Sequence, residues 1–224
     1  MKVYLHPIST TSRPILLFAA DHNLDLDVKV VDLFTGEHQS DAYAAINPNR
    51  MVPVLEDGDF RLTESSAILK YLADKVDSPA YPKDLKKRAR VNEMMDWFAT
   101  NLCRDFNYGL VYPQVFPTLR RADPTVQAGN IEWGRENARR WLTILDQHLI
   151  GPDKPYLCGD EVTLADYVGA AMLTAGELVG CEFSPWPNVA RWLDNMKRRP
   201  SWAKVNGTFN GLVESVPKEG MATL

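Results

Sequence analysis

The sequence predicts an α/β domain of order β-α-β-α-β-β-α over residues 1–76, followed by an all-helical domain over 84–224. Three observations lead there. The first 76 residues alternate strand-like and helix-like patterns, whereas the chain beyond reads as helical throughout. The stretch VDSPAYPKD (76–84) carries two prolines and no apolar period, which marks 77–83 as a linker. All six tryptophans lie after residue 96.

Element by element, Lys2–Leu5 is a short strand candidate and HPISTTS (6–12) has loop chemistry. Pro14 suits the first turn of a helix running through about His22, because its missing N–H costs nothing there. Leu26–Val30 alternates apolar and charged residues, the period of a half-buried strand, so strand, helix and strand suggest a parallel unit. A short helix is expected around Ser40–Ala45. Val54–Glu56 and Phe60–Leu62 flank Asp57-Gly58, a pair that favours a tight hairpin turn. Ser65–Asp74 then reads as a helix, with Ile68, Leu69 and Leu72 at helical spacing. In the second part, helices are expected over 84–107, 124–149, 163–178, 187–198 and 201–214, separated by Pro-containing loops. Thr163-x-x-Asp166 has the spacing of a capping box in its Asp form, with Val162 and Tyr167 as a hydrophobic staple.

Composition narrows the function classes. With 224 residues, 45% hydrophobic and 24% charged, the chain has enough apolar side chains to offset the entropy of ordering. No run of about 18 apolar residues is present, so no membrane span is expected. The first ten residues, MKVYLHPIST, lack the apolar stretch of a secretory signal. A net charge of −4 argues against general nucleic-acid binding, and the basic run KDLKKRAR (83–90) reads as a solvated helix face. Cys103, Cys158 and Cys181 have neither the pattern of a disulfide framework nor a C-x-x-C spacing, which suits a reducing cytoplasm. His6, His22 and His148 have no metal-ligand spacing.

Three short segments could carry chemistry, and each also has a plain structural reading. Ser9-Thr10-Thr11-Ser12 stands between the first strand and first helix, where backbone N–H groups favour anions and a hydroxyl can donate to one. The plain reading makes them loop residues, with Ser12 as the cap. At Val52-Pro53 the default is a trans proline at a strand edge; a cis bond would turn the N–H and C=O of Val52 outward toward a ligand. In Thr63-Glu64-Ser65-Ser66, Ser65 at a helix start could hold a carboxylate while Glu64 takes an ammonium, which would suit an α-amino acid end. The plain alternative is a capping motif.

In this order, the three segments give the chain its resemblance to the cytosolic glutathione transferases, nearest the serine-type theta/delta classes. GEHQSDAYAAINPNRMVPVLEDGDFRLTESSAILKYL carries it most specifically, and VYPQVF (111–116) and Val162–Asp166 are similar to that family's helical domain. The resemblance implies a thioredoxin-like first domain, glutathione as co-substrate, a small hydrophobic electrophile and a homodimer. It implies that a hydroxyl at Ser9 donates to the glutathione thiolate, with Thr10 and Thr11 beside it as the other choices. Val52 matches the residue before the family's cis-proline, whose backbone pairs with the cysteinyl unit, and Glu64 and Ser65 match the pair holding the γ-glutamyl end. His38 and Arg50 stand where relatives place cations near the glycyl carboxylate. Met51 occupies the position of a frequent Lys, which shifts that duty to Arg50 or His38. Tyr108 and Tyr112 fall in the electrophile pocket.

Thiol acidity explains why such a site is useful. A free thiol titrates near ~8.5, so only a few per cent is thiolate at neutrality. Lowering that by about 2 units takes about 2.7 kcal/mol, within reach of a charge-assisted hydrogen bond and a helix N-terminus. The thiolate would then attack an electrophilic carbon, with dehalogenation and ether cleavage as variants. A thiol–disulfide oxidoreductase is disfavoured, because S-T-T-S stands at the strand–helix junction where C-x-x-C would be needed. The remaining rival is a non-catalytic relative that carries ligands or serves as an interaction module; both the hydroxyl and the Glu-Ser pair are present, which favours the enzyme.

Overall fold

The computed structural model describes residues 1–224. Strand β1 (Lys2–Leu5) leads through a turn into helix α1 (Arg13–Asp21), and β2 (Asp27–Val30) returns parallel to β1. A 3₁₀ turn (Glu37–Gln39) and α2 (Asp41–Ala44) follow; then β3 (Val54–Asp57) and β4 (Phe60–Leu62) form a hairpin that leads into α3 (Ser65–Lys75). The sheet order is β2-β1-β3-β4, with β3 antiparallel to both of its neighbours. Tyr4 lies opposite Val54 and Leu55 opposite Leu62. The end of β1, the end of β2, the start of β3 and the exit of β4 therefore meet at one end of the sheet.

Two local expectations shift. Asp57 pairs with Phe60, so the two turn residues are Gly58-Asp59, one place later than expected. Gly58 has φ of 65°, a conformation that glycine adopts without a Cβ penalty. β2 is the edge strand rather than a half-buried one: Val28 and Val30 are 38% and 57% exposed, although they align with the buried Val3 and Leu5. An edge strand has a neighbour on one side only, and period-2 patterning does not reveal which strand takes the edge.

In the second part, α4 (Leu85–Trp97) runs without a break into a π-helix (Phe98–Val111) and then α5 (Tyr112–Val115). Phe98, Leu102, Phe106 and Leu110 recur every fourth residue along it and are fully buried. The rod packs on α6 (Pro124–Ile144) through paired glycines: a Cβ on Gly134 would lie 2.5 Å from the Gly109 carbonyl carbon. Any side chain there would force the backbones apart. The remaining helices are α7 (Leu164–Thr174), α8 (Pro187–Lys197) and α9 (Pro200–Ser215). The capping box is present. Asp166, fully buried, accepts from Thr163 N–H at 2.7 Å and Oγ1 at 2.9 Å, and also from Leu157 N–H and Trp192 Nε1. The basic run 83–90 is solvated, as expected, and is held by Asp74, Asp77 and Glu93.

Buried apolar side chains form one cluster that runs from Val3, Leu5 and Phe18 through to Trp192 and Phe209, so the two parts share a core. Ile15, Leu17 and Phe18 on α1 are almost wholly inaccessible, and each contributes about 1.5–3 kcal/mol by its burial. A second, small cluster of Val31, Tyr43, Val52 and Val54 lies beside α2. No helix is long and apolar enough to cross a membrane.

Candidate active site

The sheet end described above gathers the 6–12 loop, the Val52-Pro53 corner and the start of α3. The loop closes on itself, with Ser9 N–H donating to His6 O at 3.0 Å and Arg13 N–H to Ser9 O at 2.9 Å. Ser9 and Thr11 are half-buried and linked, Oγ to Oγ1, at 2.9 Å. Thr11 Oγ1 also donates to the Val52 carbonyl at 3.1 Å, which joins the two segments. The Val52-Pro53 bond is cis, against the default for such a pair and in keeping with the resemblance. Val52 is held from three directions: its side chain lies in the small cluster, its carbonyl accepts from Thr11, and the Met51 carbonyl before it accepts from Tyr43 Oη and Asn47 Nδ2, both at 2.8 Å.

Thr10 and Ser12 face away from this surface. Thr10 is buried and bonded to Tyr112 Oη at 2.6 Å, with Asn107 Nδ2 donating to the same phenol at 3.4 Å. Ser12 sits at the N-cap of α1, but its hydroxyl makes no capping bond and is buried without a partner. The expected Ser12 cap is therefore not formed, because Ser12 has the αR backbone, not the extended backbone of a capping residue. Of the three hydroxyls that the sequence left open at this junction, Thr11 bonds the Val52 carbonyl, Ser9 is linked to Thr11, and Thr10 is turned away.

At the start of α3, Glu64 is exposed with φ of 64°, and its side chain makes no capping bond. Neither Glu64 nor the half-buried Ser65 hydrogen-bonds to another side chain. The plain capping reading of Thr63–Ser66 therefore does not describe this turn. A non-glycine residue at positive φ costs about 1 kcal/mol or more, and such strain collects at functional sites. His38 is half-buried and its Nδ1 has no partner, whereas Arg50 is already paired with Asp41 at 3.1 Å. The two candidates thus differ: the Nδ1 of His38 is buried without a partner, and Arg50 shares an exposed carboxylate.

Of the two tyrosines, Tyr108 is 46% exposed and Tyr112 only 8%. Their rings meet edge-on at 5.0 Å, and Phe116 continues the series at 5.6 Å from Tyr112. Tyr112 is thus chiefly a brace between the π-helix and the 9–12 loop, and burial raises its phenol well above the ordinary range. Burial also pushes the thiols of Cys103, Cys158 and Cys181 up to about 12, 11 and 11, leaving all three protonated and inert at neutral pH.

Thr11 stands beside Ser9 and Thr10 as one of three hydroxyls with no signature to separate them. Sequence reasoning missed three further contributors. Tyr43, on a helix too short to advertise a site, and Asn47, in the turn after it, hold the Met51 carbonyl. Arg13, on the first helical residue of α1, is fully buried; it donates to Ala171 O at 2.7 Å, Asn206 Oδ1 at 2.9 Å and Thr174 Oγ1 at 3.0 Å, and lies on the Phe209 ring. Burial pulls it down only to about 10, so it stays a cation at neutral pH.

Comparison with known proteins agrees with this geometry. The family model described as "Glutathione S-transferase, N-terminal domain" matches residues 8–75, and "Glutathione S-transferase, C-terminal domain" matches 115–200. Glutathione S-transferase theta-2 from Homo sapiens is 35% identical over 195 residues, covering 86% of this chain and 78% of its own length. Glutathione S-transferase theta-1 from Bos taurus is 36% identical over 197 residues, covering 86% and 80%. The crystal structure of human glutathione transferase theta-2, in complex with glutathione and an unknown ligand, superposes with a TM-score of 0.86 at 31% identity, over 100% of this chain and 93% of that one. A delta-class glutathione transferase from Nilaparvata lugens gives a TM-score of 0.81 at 30% identity, covering 96% and 99%. The chain that builds this sheet end is matched by both domain models and over 86% or more of its length by these relatives, and it belongs to the glutathione S-transferase family.

Proposed function

We propose that this glutathione transferase holds glutathione against residues 1–76, with Ser9 as the hydrogen-bond donor to its thiolate, and receives the electrophile from the 84–224 side. The observation that carries the reading is the convergence at one sheet end of a hydroxyl, an outward backbone amide and a helix start whose side chains make no bond within the chain. The Val52 backbone would pair with the cysteinyl unit as an added strand would. Glu64 would take the ammonium and Ser65, with the α3 N-terminus, the carboxylate of the γ-glutamyl end. The glycyl carboxylate would be met by His38 or by Arg50, whose only ionic partner is the fully exposed Asp41. Tyr108, exposed beside the 9–12 loop, would line the electrophile pocket together with Phe116, and Tyr112 would back it.

The chemistry is a displacement or addition in which the thiolate sulfur forms a bond to an electrophilic carbon and the leaving group departs with its electron pair. Ser9 keeps its proton throughout and stabilises the anion, with the α1 N-terminus adding a favourable partial charge. A homodimer acting in the cytoplasm belongs to the same proposal; three unpaired cysteines support a reducing compartment, and sedimentation would check the assembly.

Ser9→Ala tests the reading. The thiolate absorbance of bound glutathione, titrated against pH, should show an apparent pKa raised by about 1–2 units, with kcat falling about tenfold or more at neutral pH. Unchanged titration and turnover would remove Ser9 from the role.

A further inference from the structure

Thr11 joins two groups that the proposed mechanism uses separately. A carbonyl oxygen only accepts, so the single hydroxyl proton of Thr11 lies toward Val52 O, 3.1 Å away. The 2.9 Å contact between Ser9 and Thr11 must then be donated by Ser9. Ser9 Oγ accepts in turn from Thr11 N–H at 3.3 Å. In this arrangement the proton of Ser9 is committed to Thr11, and the serine oxygen can offer an incoming sulfur only a lone pair. That suits a neutral thiol and opposes a thiolate.

We infer that Thr11 is a positioning residue that sets the direction of the Ser9 hydroxyl, and that the direction reverses when an amide N–H of bound glutathione takes the Val52 carbonyl. Displaced from Val52 O, the Thr11 hydroxyl turns to donate to Ser9 Oγ, and Ser9 turns its own proton to the sulfur. Both hydroxyl protons stay on their oxygens; only the thiol proton leaves, to solvent. A hydroxyl that accepts one hydrogen bond while donating another is the stronger donor, so the reversed chain holds a thiolate better than Ser9 alone. Docking of the peptide part of the ligand is thereby coupled to activation of its sulfur. The inference rests on Ser9 being the thiolate donor and adds a second hydroxyl to it.

The test compares Thr11→Val, which keeps the shape and removes the hydroxyl, with Thr11→Ser, Ser9→Ala and the Ser9→Ala/Thr11→Val double variant. Circular dichroism and urea midpoints establish that each is folded. With glutathione as the probe, Thr11→Val should raise the pKa of the bound thiol by about 0.5–1 unit, a three- to tenfold loss in the thiolate-to-thiol ratio. At neutral pH, kcat should fall to match while KM for glutathione does not rise. Thr11→Ser should restore wild-type behaviour, and in the Ser9→Ala background Thr11→Val should add nothing. A Thr11→Val effect that persists in full in that background would overturn the relay, as would an unchanged thiol pKa in Thr11→Val. If Ser9→Ala leaves the thiol pKa unmoved, the Ser9 reading itself fails; if it raises that pKa while Thr11→Val does not, the relay alone fails.

Discussion

Helices α1 and α3 both start at the end of the sheet where the candidate site lies, yet they are fastened in opposite ways. α1 is tied into the helical domain at both ends. Arg13 reaches Ala171, Thr174 and Asn206 from its first turn. Asp21 in its last turn accepts from Arg199 Nη2 at 2.6 Å and Tyr167 Oη at 2.7 Å. Next to it His22 donates from Nδ1 to Phe18 O and is hydrogen-bonded through Nε2 to Ser78 Oγ at 2.6 Å. α3 is fastened only behind its site: Tyr71 and Lys75 hold Asp57 on the hairpin, and Asp74 holds Lys83 and Arg88, while Glu64 and Ser65 at its start are untied. The proposed thiol end of the site is thus built into the junction between domains, and the proposed γ-glutamyl end would be left to the ligand. Substitutions around α1 should cost stability first, whereas those at the start of α3 should cost binding alone.

The largest effect is expected at Arg13. Arg13→Met keeps most of the apolar stem on Phe209 but leaves Asn206 Oδ1 buried without a donor, and Ala171 O with only the Thr174 hydroxyl at 3.2 Å. At about 1–3 kcal/mol for the unsatisfied group and about 1 kcal/mol for the other lost bond, the loss should be about 3 kcal/mol, read as a lowered urea midpoint. An unshifted midpoint would mean that the domains are held together by their shared apolar core alone.

Asp21 sharpens the contrast between the two ends of α1. Burial pushes its carboxyl up, but the bonds from Tyr167 and Arg199 outweigh this and hold it below the ordinary aspartate range. Because the folded value is the lower one, this anchor contributes its full stability above the ordinary carboxylate range and loses it as pH falls through the folded value. Arg13, with its pKa about 10, does not titrate in that window. Asp21→Asn should therefore be less stable than the wild type at pH 7, with the two stability curves converging as the pH falls below the ordinary aspartate range. Parallel curves across that range would assign the acid sensitivity elsewhere.

What was legible in the sequence follows the same division. Features written in a few adjacent residues could be read. The Thr163–Asp166 box, the Pro14 helix start and the start of α3 at Ser65 each need only the local chain, and the hairpin turn was misplaced by one residue because both Asp57-Gly58 and Gly58-Asp59 satisfy its chemistry. Contacts across the fold could not be read. The Thr10–Tyr112 bond spans 102 positions and the Arg13–Asn206 bond 193, and nothing near either residue signals its partner. That is why Tyr112 read as pocket lining when its hydroxyl braces the loop, and why Arg13 was not singled out. The resemblance supplied the cis bond at Val52, which cis frequencies alone disfavour.

The smallest stability effect and the sharpest functional one should coincide at Ser65. Its side chain bonds to no other, so Ser65→Ala removes no contact inside the chain, and alanine is the better helix former at the first position of α3. The urea midpoint should stay within about 0.5 kcal/mol of wild type. A hydroxyl donating to a carboxylate is worth about 1.5–3 kcal/mol, so KM for glutathione should rise about tenfold or more while kcat at saturation is kept. The reason kcat is spared is geometric: the sulfur answers to Ser9, Thr11 and Val52, which α1 and the small cluster beside α2 hold in place whether or not α3 grips the far end. A fall in kcat without a rise in KM would show that the two ends of the site are coupled, and that the independence of α1 and α3 drawn from their fastening does not extend to the bound state.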